Sequence, residues 1–195
     1  TQGDPARIAE AADLIAGAKR PMFYIGGGCV NSGVEACTAV TEFVRATCYP
    51  ATATLMGLGA FPASSSQWLG MLGMHGTYEA NLAMAHCDVM IALGARFDDR
   101  ITGRLDAFSP DSKKIHVDID PSSINKNVMV DVPIVGDCAV VIEALLAAWE
   151  NRNGAPDKGA LKKWWSRIEE WRGRDCLRYK KGDGVIKPQY ALERL

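Results

Sequence analysis

Two arginines and two aspartates crowd into residues 96–100, Arg96-Phe97-Asp98-Asp99-Arg100, just after an apolar run that stops at Gly94. A guanidinium forks onto a carboxylate or a diphosphate, and a carboxylate accepts hydrogen bonds from sugar hydroxyls. On spacing alone this is equally a solvated charged loop. Its position favours the first reading, because open parallel sheets bind ligands outside the carboxyl ends of their strands. Gly26-Gly27-Gly28, the 52–55 segment, Gly94-Ala95-Arg96, Asp118-Ile119-Asp120 and Gly136-Asp137 close other apolar runs in the same way. Glycines let a backbone approach a phosphate and leave N–H groups free at a helix start. They serve equally as plain tight turns.

Taken together, these strand ends favour nucleotide binding. NAD in its standard mode is not favoured. Asn31 stands where the last glycine of a G-x-G-x-x-G fingerprint belongs, and no acidic residue ends the second strand. His75, in Leu72-Gly73-Met74-His75-Gly76-Thr77, is a candidate acid–base group, though a lone loop histidine more often makes a positioning hydrogen bond. His86 and His116 have ordinary packing roles on this reading. No histidine or cysteine spacing points to a metal held by protein ligands.

The elements that must position these residues follow from the apolar pattern. Asp4-Pro5 opens a helix with Ile8, Ala12 and Ile15 on one face, ending near Gly17. Residues 21–25 read as a buried strand, and a helix from Gly33 buries Ala36, Val40, Phe43 and Val44. Residues 47–53 have strand character, and 55–76 read as a long glycine-rich loop. A helix over 77–87, strands over 88–93, 114–120 and 134–135, and a helix over 138–150 complete the alternation. Near-continuous apolar strands alternating with helices predict an α/β domain, a doubly wound, Rossmann-like parallel sheet. That nucleotide-binding domain occupies residues 1–150. Residues 151–182 hold a linker and a helix with Trp164, Ile168 and Trp171 on one face. This helix must bury its load on the domain itself or on a missing neighbour. From Arg172 the chain reads as basic and loop-like, and residues 183–195 hold the start of a new helix near the end.

Composition narrows the classes. A formal net charge of −1 on 195 residues gives no electrostatic case for nucleic acid or acidic membranes. No apolar run reaches the roughly 18 residues that cross a bilayer. The first residues lack the basic and apolar parts of a secretory signal. Six cysteines with no C-x-x-C pair read as reduced and cytoplasmic.

GARFDDRITG (94–103), LGMHGT (72–77), TLMGLG (54–59), DIDP (118–121) followed by Ile124-Asn125-Lys126, and Gly136-Asp137 together resemble acetohydroxyacid synthases, in order and in spacing. The resemblance spans nearly the whole chain, and 186–190 looks like the start of that family's C-terminal domain. It implies a fragment of the large, catalytic subunit, a transferase that joins pyruvate to pyruvate or 2-oxobutanoate in branched-chain amino-acid biosynthesis. Thiamine diphosphate and magnesium are expected on domains outside this chain, along with the catalytic glutamate. The central domain is expected to bind FAD, a flavin without net redox work, and to be inactive alone.

Gly26, Gly27, Gly28, Thr54, Leu55, Met56, Met74, His75, Gly76, Thr77, Gly94, Ala95, Arg96, Asp98, Asp118, Ile119, Gly136 and Asp137 are the implied FAD contacts. Asp118 stands where some members have Glu. Arg100 resembles the arginine that receives the second oxo acid, with Met74 and Asp99 beside it. A homo-oligomer and a regulatory small subunit are the implied partners, with no nucleic acid or membrane. Gly182-Asp183-Gly184 is not the metal–diphosphate motif, because it follows Lys180-Lys181 rather than a buried strand. Competing readings are a stand-alone NAD or CoA sensor, a glyoxylate carboligase-like fragment, and a catabolic acetolactate synthase that needs no FAD.

Overall fold

The computed structural model describes residues 2–152, 155–180, 182 and 184–195. Residues 153–154 of the linker and Asp183 of the Gly-Asp-Gly triplet lie outside the described residues, as do Thr1 and Lys181. The chain opens with α1 (Pro5–Gly17), where the Asp4 carboxylate accepts from the Ala6 N–H and Pro5 fills the first turn. β1 (Pro21–Ile25) is buried along its whole length. α2 (Gly27–Asn31) is one short helical turn, and α3 (Val34–Thr47) buries Ala36, Val40, Phe43 and Val44 as expected.

The expected strand over 47–53 shrinks to β2 (Ala51–Ala53). Thr47 belongs to α3, its hydroxyl donating back to the Phe43 carbonyl. Cys48, at φ 58°, is the left-handed residue that ends the helix. The expected loop over 55–76 contains an unpredicted strand, β3 (Trp68–Met71). Its signal is broken by Gly70 at φ 88° and by a register shift against β2. A side chain at that glycine would lie 2.5 Å from Thr77 Cγ2, so the strand cannot carry an unbroken apolar pattern.

α4 (Tyr78–His86) starts from Thr77, whose hydroxyl accepts from the Ala80 N–H. β4 (Val89–Leu93) leads to α5 (Asp99–Thr102) and then to β5 (Lys113–Asp118). β5 stops at Asp118 rather than 120, because the Asp118 carboxylate turns the chain by accepting from the Asp120 N–H at 2.9 Å. β6 (Val132–Val135) is two residues longer than read. It contains Pro133, which is tolerated because β6 is an edge strand. α6 (Cys138–Glu150), α7 (Lys158–Arg172) and α8 (Pro188–Glu193) follow.

The six strands are all parallel, in the order β3-β2-β1-β4-β5-β6. The chain winds outward from β1 to β3, returns to place β4 beside β1, and winds outward the other way. The switch point of this doubly wound α/β sheet therefore lies between β1 and β4. α1, α3 and α6 pack together as one layer, and α4 and α7 pack together as the other. Phe23 lies edge-on to Phe43 of α3, while the next residue, Tyr24, faces Phe97 on the opposite side of the sheet.

α7 resolves where its tryptophans go: onto the domain itself. Leu161, Trp164, Ile168 and Trp171 join the common core. The helix also lies across the amino ends of three strands. Trp164 Nε1 donates to the Pro21 carbonyl, Trp165 Nε1 to that of Cys48, and Arg172 Nη2 to that of Trp68, each at 3.0 Å. All six cysteines are free thiols. No described helix is long and apolar enough to cross a membrane.

Replacing Trp164, 1% exposed and edge-on to Trp171, with alanine removes one of the largest buried side chains. Trp164→Ala is expected to cost about 3–5 kcal/mol of folding stability. Urea unfolding followed by circular dichroism measures it. A loss below about 1 kcal/mol would mean that α7 contributes little to the domain.

Candidate functional site

The carboxyl edge of the sheet is assembled by backbone hydrogen bonds that run from segment to segment. The Leu72 N–H reaches the Ala53 carbonyl, and the Thr54 N–H reaches Ile25. The Gly26 N–H reaches Leu93, Gly28 reaches Gly94, and Gly94 reaches Val117. The Gly136 N–H then reaches the Asp118 carbonyl, and Ser32 Oγ donates to Asp137 across 3.1 Å. One more link, from the Met74 N–H to the Arg100 carbonyl at 3.1 Å, ties the two loops that carry Met74 and Arg100. The expected segments 26–28, 54–56, 74–77, 94–100, 118–119 and 136–137 thus share one edge of the molecule, at and beside the switch point.

The glycines there have a different immediate neighbour from the one expected. A Cβ on Gly26 would stand 2.1 Å from the Gly94 carbonyl oxygen, and one on Gly28 would stand 2.6 Å from Gly94 Cα. These glycines let two turns touch each other, so their first role is backbone on backbone rather than backbone on ligand. Gly94 itself sits at φ 60°. Gly76 and Gly136 are crowded likewise, by the Met71 carbonyl and by Val141.

Around this packed floor stands an exposed rim. Leu55, Met56, Met74 and Ile119 are 61–73% exposed, which is high for apolar side chains. Arg96 and Asp98 pair at 2.9 Å on the rim. Arg100 is three-quarters exposed, and its nearest acid is Asp99 at 3.9 Å, so its guanidinium is largely uncommitted. His75 is exposed. Gly27, Gly28, Thr54 and Asp137 are half-buried, and Asp137 also caps α6 by accepting from the Ala139 N–H. Ala95 and Thr77 are buried, and the Thr77 hydroxyl is occupied within the protein, donating to Leu69 and accepting from Ala80.

Beneath the rim lies a layer that sequence reasoning missed. Phe97, at φ 53°, pushes its ring between Tyr24 and His116, 5.4 and 5.0 Å away between centroids. Tyr24 Oη and both His116 ring nitrogens are buried and have no hydrogen-bond partner among the described residues. Thr102 Oγ1, on α5, is in the same condition. His116 Nε2 stops 3.8 Å short of the Asp118 carboxylate. Burial pushes the Tyr24 phenol above its usual range, and Asp98 nearby adds to the effect. Burial lowers the His116 pKa, and the opposing pull of Asp118 does not cancel it. Alternation along β1 and β5 put Tyr24 and His116 on one face in principle. Nothing local in the sequence said that Phe97 would fold back between them.

With the edge described, comparison with known proteins gives it a family. Thiamine pyrophosphate enzyme, central domain, matches residues 8–145, most of the sheet and its helices. The whole chain is 44% identical to acetolactate synthase isozyme 3 large subunit of Escherichia coli (strain K12), and covers 34% of it. Over 98% of its length the chain is 42% identical to acetolactate synthase large subunit of Haemophilus influenzae, covering 33% of that protein. Over 97% it is 45% identical to acetolactate synthase of Mycobacterium avium, covering 30%. The chain therefore spans about a third of the length of these curated relatives.

Two measurements test the edge itself. Gly26→Ala would drive a methyl into the Gly94 carbonyl and is expected to cost at least about 2 kcal/mol in chemical denaturation. A neutral result would mean that the turns part easily. The second concerns His116. Its folded pKa is depressed, so below about pH 6.5 the unfolded chain takes up a proton that the folded chain refuses, and stability falls as pH falls. His116→Phe should flatten the stability profile between pH 7 and 5. An unchanged slope would show that the ring titrates normally.

A parallel sheet in the order 3-2-1-4-5-6, a family match over residues 8–145 and relatives above 40% identity across the full chain agree: the chain belongs to the thiamine pyrophosphate enzyme central-domain family.

Proposed function

We propose that the carboxyl edge holds FAD, and that the chain is the central domain of an acetolactate (acetohydroxyacid) synthase large subunit. The reading rests on one observation above the rest: the 26–28 turn, the 94–100 segment and Asp118 converge at the switch point of a dinucleotide-type sheet. The names of the relatives point to the same enzyme.

The donor set fits a dinucleotide that is anionic at its centre and aromatic at its ends. Arg96 is the cation for the diphosphate. The Asp118 carboxylate, with one oxygen turned to the Asp120 N–H, retains acceptor capacity for a sugar or ribityl hydroxyl. Leu55, Met56, Met74 and Ile119 supply apolar surface for ring faces, which explains their exposure without a ligand. Gly26, Gly27, Gly28, Thr54, His75, Gly76, Thr77, Gly94, Ala95, Asp98, Gly136 and Asp137 complete the proposed contacts. Thr77, Ala95 and the buried glycines contribute shape and main chain rather than side-chain hydrogen bonds. Bound there, FAD supplies a structural brace across the edge with no net redox work.

In the proposed reaction two 2-oxo acids condense with loss of carbon dioxide, the acceptor being pyruvate or 2-oxobutanoate. The contribution of this chain is orientation. Arg100 presents an exposed guanidinium, only loosely paired with Asp99, that pairs with the acceptor carboxylate by two parallel hydrogen bonds. The backbone bond from Met74 to Arg100 keeps Met74 beside it, and Asp99 limits where the guanidinium swings. Thiamine diphosphate and Mg²⁺ belong to parts of the enzyme outside these residues, so the chain alone is proposed to be inactive. A cytoplasmic location, a homo-oligomer and a regulatory small subunit are part of the same proposal.

The test is a pair of variants in the full-length enzyme. Arg100→Met should retain flavin and lose at least about tenfold in kcat/KM for the acceptor oxo acid. Asp118→Asn should instead weaken flavin binding, read by flavin fluorescence, by about tenfold. Unchanged turnover in the first and unchanged affinity in the second would overturn the assignments. For the isolated chain weak flavin binding is expected, and sub-micromolar affinity would show that it needs no other domain.

A further inference from the structure

The amino end of the sheet, opposite the proposed flavin edge, carries a cleft of about 510 Å³ between the α1–β1 turn and the first half of α7. Lys19, Arg20, Lys163 and Arg167 line it, with Asp157 and the indole of Trp164. None of the four cations forms an ion pair among the described residues. Two acids are close by, and both are hydrogen-bonded to backbone N–H groups. The Asp157 carboxylate accepts from the Gly159 and Ala160 N–H groups. The two Asp88 oxygens accept from the backbone N–H groups of Lys19 and Arg20. The chain as a whole carries a formal charge of −1, so this is a local concentration of positive charge, not an overall excess.

Two of the cations are also held in place. Arg20 Nε donates to the His86 carbonyl at 2.8 Å, leaving the rest of its fork free. Arg167 lies over the Trp171 ring at 5.0 Å, and that ring in turn stacks on His86. Desolvation and then the nearby Arg167 and Arg20 hold the His86 pKa down, against an opposing pull from Asp111. Four cations against the one lining acid, Asp157, leave the cleft with an excess of positive charge. The two lysines, on flexible stems, can close over whatever neutralises them.

We propose that this cleft is a binding site for a small polyanion of the diphosphate type. Its volume falls in the range of about 300–1,000 Å³ usual for small ligands. The lining comes from two short stretches of chain, 19–20 and 157–167, an extent that suits a small molecule better than an acidic peptide. The two guanidinium forks match phosphate oxygens, and the two ammonium groups add charge. The site is independent of the proposed flavin edge, so the failure of one reading leaves the other standing.

Calorimetric titration of the flavin-saturated full-length protein with inorganic diphosphate tests it, with ADP and citrate as parallel probes. Diphosphate is expected to bind with a Kd below about 1 mM and to weaken as salt rises. Lys19→Gln with Lys163→Gln, and separately Arg20→Gln with Arg167→Gln, should each lower affinity about tenfold or more while flavin content stays unchanged. The lysine pair makes no side-chain hydrogen bond among the described residues, so it keeps the test clean if the arginine pair unfolds. ADP binding more tightly than diphosphate identifies a nucleotide as the source, and equal affinity identifies the free anion; both support the site. No diphosphate binding up to about 10 mM, equal affinity in the lysine variant, citrate preferred over diphosphate, or an acidic peptide binding where diphosphate does not would overturn it.

Discussion

β1 and β4 lie side by side where the winding of the sheet reverses, and each leaves the sheet through a glycine turn. The two turns meet backbone to backbone, Gly26 and Gly28 against Gly94, at separations that no side chain could share. The carboxyl edge depends on this contact. It sets how closely the two halves of the doubly wound sheet approach at their mouth. It also sets where the 95–100 segment starts, and hence where Arg96 and Arg100 emerge. A methyl group at any of the three positions would press one turn outward and carry the charged segment with it.

Above that floor the structure keeps groups that a purely structural edge would not need. Apolar side chains at 55, 56, 74 and 119 stand in solvent, and the Arg100 guanidinium is almost unpaired. Below it, the Tyr24 hydroxyl and both nitrogens of His116 are buried without hydrogen-bond partners among the described residues. An unsatisfied buried polar group costs about 1–3 kcal/mol. The layer holding the charged segment is therefore not optimised for stability, and Phe97, a bulky residue at positive φ, adds to the strain there. Such costs gather where a ligand or a second domain completes the structure.

The two ends of the sheet are built by opposite means. The carboxyl end is made of glycine turns, carboxylates and exposed apolar tips. The amino end is closed by α7, whose indoles and Arg172 satisfy carbonyls at the starts of three strands. Arg172 and the tail just after it also steady β3 and α4. Arg174 lies over the Tyr78 ring at 4.5 Å, and the Cys176 thiol accepts from the Tyr78 N–H. The helix after the linker, which the sequence left to pack on the domain itself or on a neighbour, is thus packed into the same core as the sheet.

Much of this was legible in the residues themselves. Apolar runs located β1, β4 and β5. Asp4, followed by Pro5, marked where α1 begins; the structure adds Thr77 and Asp137 as the caps of α4 and α6. The family resemblance in 72–77 and 94–103 was visible for the same reason: those motifs are contiguous. β3 was not visible, because Gly70 at positive φ interrupts its pattern, and α3 outran its expected end because Thr47 bonds back into the helix. Tertiary structure alone decided which strands neighbour each other, that α7 folds back on its own domain, that Gly26 and Gly28 face Gly94, and that Phe97 separates Tyr24 from His116. Local sequence reports periodicity, caps and turn chemistry within a few residues. Contacts between positions some 70 or 140 residues apart depend on which faces find each other when the core closes, and no short stretch of chain contains that information.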